Sequence, residues 1–137
     1  MVHDPTPAAL TALAEVVYVT LPDDPAWLLA VQFGFAEGCL QIEVDPGTDT
    51  IEVSFDPSRP PPLRHWGSAV MPRQMNQHYG GLVGQDASWW WILRNQQQYE
   101  DAFQIELSTS ASMTTTLQYL AMASRLYLRH VKEAPMP

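Results

Sequence analysis

Glu43, Asp45, Asp49 and Glu52 form the densest group of residues able to do chemistry. They lie in a stretch where Leu40, Ile42 and Val44 alternate with Gln41, Glu43 and Asp45. The turn Pro46-Gly47-Thr48-Asp49 follows, and then Ile51, Val53 and Phe55 alternate with Glu52 and Ser54. A period of two puts side chains on opposite faces of a strand. The pattern therefore predicts an antiparallel hairpin with one apolar face and one acidic face. Carboxylates grouped on a solvated face draw in a cationic partner and speed its encounter. The plain alternative is a solvated sheet face that keeps an acidic protein soluble.

Charge along the chain points the same way. Residues 1–58 hold ten acids (Asp4, Glu15, Asp23, Asp24, Glu37, Glu43, Asp45, Asp49, Glu52 and Asp56) and no Lys or Arg, so that half carries about -10 of the net -8. The remainder carries five acids and seven bases, about +2. This balance argues against nucleic-acid binding and against a polybasic membrane anchor. The hydrophobic residues never run long enough to span a bilayer, and MVHDPTPAAL lacks the order of a signal peptide. A soluble cytoplasmic protein is the expectation.

A second group is Trp90, Asn95, Tyr99 and Asp101, where amides, a phenol and a carboxylate follow a tryptophan-rich run. Such groups hydrogen-bond small ligands, and they also stabilise turns through their own backbone. Catalysis needs a base beside a nucleophile in a pocket, and the spacing of Tyr99, Asp101 and His78 does not require that arrangement. No Gly-x-Ser-x-Gly, phosphate-binding loop, Cys-x-x-Cys or His-Glu-x-x-His pattern is present. The single Cys39 reads as a buried thiol. Asp45, Asp49 and Glu52 flank a Gly47 turn but lack the alternating oxygen ligands of a calcium loop, and His3, His65, His78 and His130 show no paired spacing for zinc. No metal and no cofactor is expected.

The elements that must position these residues are mostly strands. Thr6 to Ala14, with Thr6 as N-cap and Pro7 at the first helical position, predicts a short N-terminal helix. Val16 to Thr20 is β-branched and aromatic, and Trp27 to Phe35 is apolar on both alternating sets, as in a central strand. About thirty residues, 56–88, form a long Pro/Gly-rich loop with one helical turn near Arg73 to Gln77. Trp89 to Arg94 and Phe103 to Leu107 make a second hairpin, with Trp90 facing away from Trp89 and Trp91. Residues 114–131 fit helical spacing through Leu117, Leu120, Ala121, Ser124, Tyr127, Leu128 and Val131, while their Thr-rich and Leu-Tyr-Leu ends have strand composition.

Val44-Asp45-Pro46 with Asp49 to Val53, then Gly84, Trp89 to Trp91, and Asn95, Gln97, Tyr99 and Asp101 leading into Phe103 to Glu106, resembles a family of small bacterial domains of unknown function. The likeness runs on through Ala121 to Ser124 and covers roughly residues 15–132. Where that family's pattern has Gly before the Tyr and after the Asp, this chain has Gln98 and Ala102. The resemblance implies a mainly antiparallel β domain and favours a strand over 114–131, bent near Ser124. It implies no activity, ligand or catalytic residue.

The expected molecule is a single α+β domain over 1–137, mainly antiparallel sheet with a short N-terminal helix. Its expected function is non-catalytic: Glu43, Asp45, Asp49 and Glu52 dock a basic protein, in the manner of a bacterial immunity protein that neutralises a toxin. The alternative is a small-ligand-binding protein or enzyme using residues 64–85 with Trp90, Asn95, Tyr99 and Asp101. Self-association as a homodimer through an open strand edge or an exposed Trp90 is a third reading.

Overall fold

The computed structural model describes residues 10–66, 69–94, 100–108 and 113–135. Nine strands follow in order: β1 (Glu15–Leu21), β2 (Asp24–Phe35), β3 (Gly38–Asp45), β4 (Thr50–Asp56), β5 (Met71–Gln74), β6 (Asp86–Arg94), β7 (Glu100–Ser108), β8 (Met113–Met122) and β9 (Arg125–Pro135). A single 3₁₀ turn, Asn76–Tyr79, lies between β5 and β6. The strands form one sheet in the order β4-β3-β2-β9-β8-β7-β6, with β1 on β2 and β5 on β1. Every pairing between them is antiparallel.

The long β2 is the pivot. It pairs with β1 along one edge, with β3 over Ala30 to Phe35 on the other, and with β9 at Leu28. The β6–β9 half then packs against the first half, β4 lying over β7 and β8. Phe33 of β2 meets Phe103 of β7 and Tyr119 of β8 there, with ring centroids 6.4 and 5.9 Å apart. At the far edge Leu10 bridges to Ala87 and Leu13 exchanges hydrogen bonds with Gln85 and Gly84, so the sheet nearly closes on itself.

That closure corrects the α+β expectation: the described residues contain no α-helix, and the protein is all-β. Thr6 to Ala9 lie outside the described residues, and Leu10 to Ala14 form no helix: Leu10 is an isolated bridge residue and 11–14 are irregular. Leu10 and Leu13 have the spacing of a helix face, yet their backbone groups bond β6 and its approach instead, and Ala12 has φ 55°. Burial of both leucines in the common core outweighs a weak local preference.

Residues 114–131 are strand, divided between β8 and β9 instead of forming one bent element. Ala123 and Ser124 both have positive φ, 55° and 64°, the backbone that a two-residue hairpin turn requires. Along β8 the buried residues are Thr115, Leu117, Tyr119 and Ala121, a period of two that the apparent helical spacing concealed. Elsewhere Gly38 has φ 148°, and a Cβ there would lie 2.5 Å from the Asp56 carbonyl oxygen, so only glycine lets β3 start against the end of β4.

Among its described residues the connector from β4 to β6 is irregular except for β5 and the 3₁₀ turn. It is nonetheless held closely. Asn76 Oδ1 accepts the Val16 N–H at 2.9 Å and its amide donates to the Ala14 carbonyl at 2.9 Å, while Met75 N–H bonds the Val16 carbonyl at 2.8 Å. Tyr79 enters the core, where its hydroxyl bonds those of Tyr18 and, at 3.2 Å, Tyr119.

Candidate functional site

The first hairpin forms with its predicted alternation, β3 pairing β4 from Cys39↔Asp56 to Asp45↔Thr50. Leu40, Ile42 and Val44 face the core. Its polar face is not open to solvent as expected, because residues 61–66 of the connector lie across it. Gln41 and Glu43 are 1% and 2% exposed, so β3 is covered on both faces.

Register creates the electrostatic problem that the site resolves. Glu43 and Glu52 are direct cross-strand neighbours, and like charges in that position repel. Glu43 accepts backbone N–H groups: Arg64 N lies 2.9 and 3.1 Å from its two oxygens, and His65 N lies 2.9 Å from Oε2. Glu52 takes the imidazole instead, with His65 Nε2 2.9 Å from Oε1 and 3.9 Å from Asp45 Oδ2. A buried carboxylate is stable only when charge-assisted hydrogen bonds replace its water, and the two amides do this for Glu43. Burial pulls the His65 pKa down, but the hydrogen bond and charge of Glu52, with the charges of Asp45 and Glu43, outweigh it and raise the pKa above the ordinary histidine value.

The four predicted docking residues therefore divide. Glu43 is a structural acceptor beyond a partner's reach. Asp45 Oδ1 accepts the Gly47 N–H at 2.9 Å, and Asp49 Oδ1 accepts the Ser124 N–H at 2.7 Å, joining the β3–β4 turn to the β8–β9 turn. Asp45, Asp49 and Glu52 remain half-exposed. Sequence reasoning missed His65. Twelve residues, four of them proline, separate it from Glu52, and no spacing rule spans such a connector.

Only part of the second predicted group falls on the described residues. Trp90 packs against Phe103 with centroids 5.9 Å apart, Asp101 is half-buried on β7, and Asn95 and Tyr99 lie outside the described residues. His78 is exposed at the 3₁₀ turn. The exposed tryptophan is Trp89, 68% accessible on β6, rather than Trp90. A cleft of about 460 Å³ opens between the β2–β3 end and Pro57 to Pro60, lined by Glu15, Gln32, Cys39 and Arg59 among others. Burial, with the charges of Glu15 and Asp56, pushes the Cys39 thiol up to about 11, opposite to what a nucleophile needs. Among the described residues there is no helix long and apolar enough to cross a membrane.

Fold and site together define a small, nearly closed antiparallel β domain whose proline-rich connector sets a histidine against two carboxylates. Residues 4–135 match the model of a family of unknown function (DUF6334), and the chain belongs to that family. No curated protein and no solved structure matches.

Proposed function

We propose that this chain is a non-catalytic binding module that docks a basic partner protein at the tip of the β3–β4 hairpin. Asp45, Asp49 and Glu52 make the contact, with Glu43 and His65 holding the surface behind them. The carrying observation is the charge imbalance on the first half of the chain: from Leu10 to Ser58 there are nine acids and no Lys or Arg. At Asp45 and Glu52 the cation drawn in is the His65 imidazole, which carries charge only when protonated. The raised Cys39 pKa supports the non-catalytic reading.

The test uses a defined Lys/Arg-rich peptide and two triple variants with equal change in net charge. One carries Asp45→Asn, Asp49→Asn and Glu52→Gln; the other carries Glu15→Gln, Asp23→Asn and Glu106→Gln. The hairpin variant is expected to lose about tenfold in affinity at low salt, with little loss in the other. Wild-type binding should weaken as salt rises. Equal losses in the two variants would show that only bulk charge attracts the peptide, and the docking reading would fail.

A further inference from the structure

We propose that Asp45, Glu52 and His65 form a binding site for a divalent zinc-type metal ion. This goes beyond the docking reading and stands or falls separately from it. One nitrogen and two carboxylate oxygens, one from each residue, lie within 4.8 Å of one another. A tetrahedral ion bound at about 2.1 Å holds its ligand atoms roughly 3.4 Å apart. The separations of 2.9 Å from His65 Nε2 to Glu52 and 3.9 Å to Asp45 bracket that value, so small side-chain rotations complete the set.

A second observation is independent of the clustering. Glu52 Oε2 is buried with no hydrogen-bond partner, and the buried His65 Nε2 meets only the Glu52 and Asp45 carboxylates. Buried polar atoms are almost always satisfied, and a bound ion is one way of satisfying them. The side chains of Asp45, Glu52 and His65 keep 23%, 33% and 24% of their exposure, which leaves an entry path and a position for water or a partner's ligand.

Ligand chemistry selects the ion. An imidazole nitrogen beside carboxylates suits zinc, cobalt or nickel, whereas calcium and magnesium prefer oxygen alone. Two carboxylates also neutralise a divalent charge and relieve the repulsion among Glu43, Asp45 and Glu52. Glu43 positions the site: by fixing the Arg64 and His65 amides it holds the histidine-bearing connector over the hairpin.

The full chain, stripped with chelator, is titrated calorimetrically with zinc chloride and with calcium chloride, and cobalt binding is followed by visible absorption. One zinc per chain is expected, with a tetrahedral cobalt spectrum and no comparable calcium binding. Glu52→Gln keeps the side-chain shape, and His65→Ala removes the nitrogen. Each should lower zinc affinity by about 10- to 100-fold or more, since losing even an outer partner of a metal ligand costs that much. His78→Ala should leave it unchanged. Failure to bind zinc, or undiminished binding by His65→Ala, overturns the proposal. The peptide assay on the same preparation separates the two readings, because zinc binding can fail while hairpin-dependent peptide binding remains.

Discussion

The connector between β4 and β6 is tied to the sheet at two places by opposite chemistry. At one, the buried Glu43 and the half-exposed Glu52 carboxylates hold the Arg64 and His65 amides and the His65 imidazole. At the other, Tyr79 reaches into the core and its hydroxyl joins Tyr18 and Tyr119, with Tyr119 wholly buried. Burial first, and mutual hydrogen bonding and charge second, push the Tyr18 phenol above its ordinary value. Burial raises Tyr79 and Tyr119 as well. The phenol tie thus stays neutral through the physiological range, while the other tie includes an imidazole whose charge changes with pH. A protein needing only to cover its sheet could use the first kind twice. The charged tie is the one placed where a cation can reach it.

The largest expected effect breaks the neutral tie. Tyr119→Ala removes a ring that packs on Phe33 and leaves a cavity, at about 3–5 kcal/mol, measured by urea denaturation. Tyr119→Phe keeps the ring and loses the hydroxyl with its 3.2 Å bond to Tyr79, at about 1 kcal/mol. If the two variants lost equal stability, the hydroxyl chain rather than the packing would be the main support.

Next comes the charged tie. Glu43→Ala strands the Arg64 and His65 amides and is expected to cost about 2–3 kcal/mol, with faster tryptic cleavage at Arg64–His65. Arg59 precedes proline and resists the same protease. Tyr119→Phe should not speed that cleavage. Were it to do so, the two ties would act as one cooperative unit.

The two ties also differ in how visible they are in the sequence. Alternation at Leu40 to Phe55 and at Trp90 to Leu107 is a local property of strands packed on one side, so both hairpins were predictable. Burial of Glu43 was not, because it depends on a proline-rich connector folding back over twenty-one residues of chain separation. Proline composition identifies that connector as irregular but says nothing of where it lies. The missed β8–β9 turn has another cause: Ala123 and Ser124 are unusual residues at positive φ, so the customary Gly or Asn signal was absent.

A smaller effect distinguishes the ties by pH, in metal-free protein. His65 has a raised pKa when folded, so its stabilising contribution is fully present below the unfolded value of about 6.5 and is lost as pH rises through the folded value. Thermal midpoints should decline over that window in wild type and be flatter in His65→Ala. The phenols, raised in the folded state, lower stability only as pH climbs past about 10, where the unfolded chain begins to ionise. A midpoint that fell equally in His65→Ala would remove the imidazole from the account of the charged tie.

The smallest effect concerns Trp89, which belongs to neither tie. Ser88 sits at a register shift between Ala87 and Trp89, and beyond it Trp90 turns inward while Trp89 is left 68% exposed. A side chain with so few contacts contributes little to folding, so Trp89→Ala should change stability by no more than about 0.5 kcal/mol. Its use must then lie outside the monomer or be nil. Light scattering at high concentration distinguishes these. A wild-type mass above the monomer that Trp89→Ala returns to the monomer would give the β6–β9 half of the sheet an interface of its own, driven by apolar burial at a strand edge and insensitive to salt. That behaviour would contrast with the salt-sensitive hairpin, and it would mean that the charged tie and the exposed ring serve two different contacts.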